Sequence, residues 1–307
     1  MADTAPLVIV GTGLAGYNLA KEFRKLDNQR PMLLVSADDG RFYSKPLLST
    51  GFSKGKEADE LAMQDAAAMA AQIGAEVLTG VPVSAINPAE RTLTLGDREQ
   101  AYSDLVLALG AEVRALPWRE QLGERLLSIN DLADYGRFRA ALTGRKKVLI
   151  IGAGLIGCEF ANDLSLGGFE VTVVATDPWL MPQLLPEPVA AAVQRRLEAL
   201  GVTFHLGCGI RELAASDDAL LALLDDGSEV HADQGLSAIG LAPRTDLAAA
   251  AGLSVGRGVL VDAQLRSSDP HIYALGDCAE VAGLNLMYVM PLMTSARALA
   301  KTLAGTP

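Results

Sequence analysis

The stretch Leu7-Val8-Ile9-Val10-Gly11-Thr12-Gly13-Leu14-Ala15-Gly16 decides the fold, because it recurs as Val148-Leu149-Ile150-Ile151-Gly152-Ala153-Gly154-Leu155-Ile156-Gly157. Each copy opens on a short β-branched apolar run, which predicts a strand buried on both faces of a parallel sheet. Each then passes through a glycine loop into helical spacing. Leu19, Phe23 and Leu26 make the apolar face of the first helix, and Ile156, Phe160 and Leu164 that of the second. Each returns to another apolar run, Met32–Val35 and Val171–Val174. Two separate strand–loop–helix–strand units follow.

The chemistry of such a loop lies in its backbone. The first glycine permits a tight turn, the second lets a pyrophosphate approach, and the third lets helix and strand pack closely. Peptide N–H groups and the helix dipole hold the phosphates, so no basic side chain is needed. A dinucleotide site is therefore expected in each unit, on Gly11, Gly13, Leu14, Ala15 and Gly16, and on Gly152, Gly154, Ile156 and Gly157. An acid after the second strand is expected to take the ribose hydroxyls. In the first copy this is Asp38, next to Ala37, against the plainer account of an Asp-rich surface turn. In the second, Ala175 stands first and Asp177 follows, so a ribose contact and a cap or turn role both stay open. Neither Arg nor Lys occurs from Ala175 to Gln183, which favours NADH over NADPH, whose 2′-phosphate would find no cation.

The rest of the composition excludes whole classes. A length of 307 residues suggests two domains, and 50% hydrophobic with 21% charged residues suits a globular chain with a sizeable core. A net charge of −11 disfavours nucleic acid or an anionic membrane as partner. No apolar run approaches the roughly 18 residues of a membrane span, and no targeting signal precedes the first strand, so the expected location is cytoplasmic. Cys158, Cys208 and Cys278 are odd in number and far apart, which disfavours disulfides. No metal is expected, because His205, His231 and His271 lack partners at ligand spacing. No serine sits on a nucleophile elbow.

Three further segments read as buried strands ending in small-residue turns. They are Leu105-Val106-Leu107-Ala108-Leu109-Gly110, Ser237-Ala238-Ile239-Gly240-Leu241-Ala242-Pro243 and Ile272-Tyr273-Ala274-Leu275-Gly276-Asp277. The last delivers a carboxylate at a strand's C-terminal end, where ligands sit in open α/β sheets.

Taken in this order, the motifs resemble the FAD-dependent pyridine nucleotide-disulfide oxidoreductases, whose fold is that of glutathione reductase. Phe42-Tyr43-Ser44-Lys45-Pro46-Leu47-Leu48-Ser49, and Cys158-Glu159 after the second loop, are similar to the rubredoxin and ferredoxin reductase branch. The resemblance implies an α/β protein of two Rossmann-like domains. An FAD domain would span 1–112 and 245–307, and an NADH domain 113–244. It implies that Gly11–Gly16 cradles the FAD pyrophosphate, with Asp38 on the ribose and Ala108 beside the loop. Lys45 and Pro46 would lie by the flavin, Val83 would meet adenine through its backbone, and Asp277 would bind the ribityl chain. Tyr288–Leu292, with Val289, would offer a helix start to the flavin ring. Gly152, Gly154 and Gly157 would hold NADH near Gly240, and Glu159 would orient nicotinamide and flavin.

Plainer accounts stand beside two of these: Lys45 as a solvated loop residue, and Glu159 as a first-turn carboxylate favoured by the dipole. Disulfide-reducing relatives carry a close cysteine pair and peroxidase relatives a Leu-Ser-Cys-Gly string, where this chain has Leu48-Ser49-Thr50-Gly51. Electrons are then expected to leave the flavin directly, for rubredoxin or another iron–sulfur carrier. Docking would use Arg41, Lys45, Lys54 and Lys56, with Arg297 and Lys301 adding to it, unless these are scattered solvated residues. A ferredoxin reductase, the flavoprotein part of a nitrite reductase system, and a flavin-bound redox sensor are the alternatives. The family's C-terminal interface domain is expected to be missing after Gly305.

Overall fold

The computed structural model describes residues 5–216 and 219–305. Met1–Thr4 and Thr306-Pro307, at the two ends read above, lie outside the described residues. The chain divides into two compact units, one of Met1–Tyr43, Ala62–Glu112 and Ala242–Pro307, the other of Ser44–Leu61 and Val113–Leu241.

In the first unit the strand Leu7–Val10 is the centre of a five-stranded sheet in the order 272–274, 104–107, 7–10, 32–35, 76–78. Its neighbours run parallel to it, Leu7 facing Met32 on one side and Asp104 on the other. Alternate residues feed two cores. Leu7 and Ile9 pack with Leu19 and Phe23 of the helix Leu14–Arg24 and with Ala296 and Leu299 of the helix Val289–Leu303. Val8 and Val10 pack with Ile86, Leu93 and Leu95 of a small antiparallel sheet. Burial on both faces is why the run is apolar throughout. The first helix ends at Arg24, so Leu26 lies beyond it and is 49% exposed rather than on the buried face. Arg24 donates to the carbonyls of Ile73, Gly74 and Arg30.

The second unit repeats the plan, its sheet running 203–206, 170–175, 147–151, 234–237, 126–127. Leu149 and Ile151 pack with Leu220, Ala222 and Leu224 of a second antiparallel sheet. The strand expected from Ser237 onward lies upstream, at Gln234–Ser237. Gln234 opens that strand and is fully buried. Its amide donates to the Glu124 carbonyl and accepts from Arg145, so its polarity is met inside the core.

The excursion Ser44–Leu61, assigned above to the first domain, packs with the second unit. Two interactions hold it. Phe52 sits among the rings of Tyr135, Phe138 and Phe169. Asp163, 1% exposed, accepts from Phe52 N at 2.9 Å, Ser53 N at 2.9 Å and Ser53 Oγ at 2.5 Å.

Candidate functional site

In the first unit, every strand of the sheet that carries a site residue delivers it at its C-terminal end. The chain leaves Leu7–Val10 toward one sheet edge and comes back on the other side, which places the glycine loop at the topological switch point. Gly11 has φ +115°, and a Cβ there would collide with the Ala108 carbonyl. A Cβ on Gly16 would collide with the Gly11 carbonyl, so this glycine is what lets helix meet strand. Gly13 differs from both: nothing lies within 4 Å of the Cβ it lacks. It is the N-cap of Leu14–Arg24, with no side-chain cap and no acidic residue in the first turn. The first intrahelical bond runs from Tyr17 N to Gly13 O, leaving the N–H groups of Leu14, Ala15 and Gly16 for an outside acceptor. A cradle closed at its ends and open at its middle fits a pyrophosphate.

Asp38 is fixed on one oxygen. Oδ1 accepts from Thr12 Oγ1 at 3.2 Å, Ser36 Oγ at 2.5 Å and Gly40 N at 2.9 Å. Three donors on one atom hold the other carboxylate oxygen in place for a ligand, which a plain surface turn does not require. Ala37 lies exposed on the same turn. Gly80 N and Val81 N donate to Asp38 O and Ser36 O, so these two residues border the turn most directly. Sequence reasoning chose Val83, which opens the next strand opposite Leu95. Gly276, with φ +77°, packs so closely on Ala15 that a Cβ would stand 2.9 Å from it. Asp277 is thereby brought beside the first loop, in a 3₁₀ turn from Gly276 to Cys278 rather than a hairpin. The helix start expected at 288–292 falls at Val289, again without a side-chain cap or first-turn acid.

The second unit has the same cradle. Gly152 has φ +111° and faces the Ala238 carbonyl, Gly157 faces Gly152 and Ala238, and Gly154 is the uncapped, open N-cap. Ala238 thus takes in this unit the place of Ala108 in the first. The repeated patterns Ala108-Leu109-Gly110 and Ala238-Ile239-Gly240 were the signal for it, and Gly110 and Gly240 share positive φ. Ile156 is half-buried in the first turn. Asp177 has no helix to cap, since the next one begins at Glu187. Its carbonyl accepts from Gly207 N, and its carboxylate makes no hydrogen bond among the described residues. The Asp225 carboxylate accepts from Gly209 N, and a Cβ on Gly209 would meet both that carboxylate and the Thr176 side chain. An acidic rim suits ribose hydroxyls and repels a 2′-phosphate.

Two further groups of this unit are held by named partners. Lys45 heads the 3₁₀ turn Lys45–Thr50, and its Nζ donates to Oδ1 of the buried Asn130 at 2.7 Å, so it is not a solvated loop residue. Pro46 at the next position fixes the turn. Glu159 is the fifth residue of Leu155–Leu166, past the first turn, which removes the simple dipole account. Its Oε2 accepts from Ser49 Oγ at 2.8 Å.

All three cysteines are free, and burial pushes the Cys158 and Cys278 thiols up to about 11, well away from a reactive thiolate. No group of three or more His, Cys, Asp or Glu suited to a metal occurs among the described residues, and no helix among them is long and apolar enough to cross a membrane.

The family model for pyridine nucleotide-disulphide oxidoreductases matches residues 5–300. The chain is 54% identical over 301 residues to rubredoxin-NAD(+) reductase of Alcanivorax borkumensis, covering 98% of this chain and 79% of that one. It is 43% identical to the enzyme of the same name from Acinetobacter baylyi, with 98% and 78% covered. Its fold is similar to that in the covalent putidaredoxin reductase–putidaredoxin complex, with a TM-score of 0.90 at 29% identity over 98% of this chain and 75% of that one. Two open glycine cradles, one in each unit, and a match along nearly its whole length place this chain in the pyridine nucleotide-disulphide oxidoreductase family.

Proposed function

We propose that this protein is an NADH-dependent flavoprotein reductase that passes electrons singly to a small iron–sulfur carrier of the rubredoxin type. The observation that carries the reading is the pair of open cradles without a reactive cysteine pair. One cradle would hold FAD and the other NADH. The relatives named rubredoxin-NAD(+) reductase support the acceptor class.

FAD, when bound, would supply the two-electron to one-electron conversion between nicotinamide and carrier, chemistry that belongs to the cofactor. The chain's own residues bind and orient. Gly11, Gly13 and the N–H groups of Leu14, Ala15 and Gly16 would bind the FAD pyrophosphate, Asp38 its ribose and Asp277 its ribityl chain, with Ala37, Val83 and Ala108 around them. The bare helix start at Val289 would direct positive dipole toward an electron-rich ring oxygen. Gly152, Gly154, Ile156, Gly157 and Gly240 would border NADH, with Asp177 on its ribose. Lys45, Pro46 and Glu159 orient the reacting rings in this proposal, supported by the fixed placement of Lys45 on Asn130 and of Glu159 on Ser49.

The carrier would dock on local cations, since the chain as a whole is acidic. Of the four residues named, Arg41 is already paired with Asp39 and Lys45 with Asn130. Lys54, on an exposed turn, and Lys56 are the better candidates. Cytoplasmic location remains part of the proposal.

Anaerobic mixing with NADH tests the first half: flavin absorbance should bleach within seconds. Bleaching over minutes would favour a redox sensor instead. Steady-state NADH oxidation with purified rubredoxin and ferredoxin side by side tests the second half, and turnover with ferredoxin alone would replace the acceptor.

A further inference from the structure

We propose that Ser49 is a positioning residue for the NADH half-reaction, acting by fixing the carboxylate of Glu159. This deepens the reading above and rests on it.

Glu159 and Asp163 stand four residues apart on the helix Leu155–Leu166, so they share one face. Both grip the same short stretch of chain. Asp163 accepts three hydrogen bonds from Phe52 and Ser53, and Glu159 accepts one from Ser49. Asp163 therefore secures the strap, and the strap presents Ser49. Gly51 has its place because a side chain there would run into the Tyr135 hydroxyl, which itself donates to the Lys56 carbonyl.

Ser49 is 8% exposed, and its hydroxyl has one proton to give. Two acceptors are in range, Pro46 O at 3.1 Å and Glu159 Oε2 at 2.8 Å. The Glu159 carboxylate oxygen is the nearer of the two. The contact joins the helix that opens at Gly154 to the turn that opens at Lys45. Removing the hydroxyl leaves Glu159 free to leave its rotamer without disturbing the Asp163 clasp. Sequence comparison drew attention to Thr50, where peroxidase relatives have cysteine; the neighbouring serine carries the interaction.

The test is a double-mutant cycle on the flavin-loaded full chain, using Ser49→Ala, Glu159→Gln and both together. Two quantities are read: the rate of flavin bleaching by NADH, and the dissociation constant of NAD⁺ by calorimetry. Ser49→Ala should slow bleaching roughly tenfold and weaken NAD⁺ several-fold, with FAD content unchanged. In the Glu159→Gln background the same change should matter less than about twofold. Ser49→Thr, which keeps the hydroxyl, should restore both quantities. Ser49→Cys, nearly isosteric with a weak donor, replaces Ser49→Ala if the latter does not fold. Equal rates and affinities in Ser49→Ala and the parent chain, or strictly additive effects, would overturn the proposal. A parent chain that does not bleach with NADH would instead overturn the reductase reading, and the NAD⁺ cycle would still decide the role of Ser49.

Discussion

At the scale of single residues, the glycines of each cradle differ in what they exclude. Gly157 has no room for a Cβ, because the Gly152 carbonyl occupies that space. Gly154 has open space before it. Gly157→Ala should therefore destabilise the fold by about 3 kcal/mol, through strain in a packed contact. Gly154→Ala should fold normally and raise KM for NADH about tenfold or more, since its methyl intrudes only on the ligand. Thermal melting and steady-state kinetics on the pair check this, and equal melting points would refute the packing account. The cysteines give a second residue-scale prediction. Burial holds the Cys158 and Cys278 thiols protonated up to about 11. Iodoacetamide at neutral pH should leave both unmodified in the folded protein, and NADH-driven bleaching unchanged. A thiol whose folded pKa is raised supports the fold below its unfolded pKa. That support should fade as the pH climbs from about 9 to about 11.

At the scale of elements, the excursion Ser44–Leu61 matters most. Its regular structure is the 3₁₀ turn Lys45–Thr50 and the short helix Ala58–Leu61, and it is tethered to Leu155–Leu166 and to the aromatic nest around Phe52. Asp163→Ala leaves the buried Phe52 N–H and the part-buried Ser53 N–H without their acceptor, at a cost of about 2 kcal/mol. Asp163→Asn keeps an acceptor oxygen and should fall between. Urea denaturation of the purified chain measures both, and a midpoint unchanged by Asp163→Ala would show that Phe52 alone anchors the strap. The two small antiparallel sheets play a different part. Each covers one face of a parallel sheet, which lets that sheet stay apolar on both sides.

At the scale of the whole molecule, charge sets the choice of ligand and partner. A net charge of −11 is spread over a chain whose proposed NADH rim would present Asp177 and Asp225 rather than a cation. NADPH should be the poorer donor, by at least about tenfold in kcat/KM, because each unmatched phosphate charge meets like charge. Parallel steady-state measurements with the two nucleotides test this, and equal efficiency would overturn the assignment of that rim. The two-unit plan follows from the same duplication. Each unit carries its own switch point, so each can hold one dinucleotide with almost no basic side chain.

Much of this was legible in the amino-acid order. Glycine loops, flanking apolar strands and Asp38 are local signals, because turn geometry and strand burial depend on a few adjacent residues. The Gly276-Asp277 turn was legible for the same reason, whereas the helix start at Val289 was expected from the family resemblance alone. Other features depended on residues far apart. Gln234 is a polar residue inside a buried strand, and only the folded chain brings Glu124 and Arg145 to its amide. Leu26 fitted the helical period although the helix had already ended at Arg24. Gly80 and Val81 joined the first loop only through backbone amides that carry no side-chain mark. Asp163 looked like any helix carboxylate, and only the folded chain showed it clasping Phe52 and Ser53. Sequence by itself determined where the cradles form. Tertiary structure decided which side chains are held, because a hydrogen bond between residues over a hundred positions apart leaves no trace in either neighbourhood.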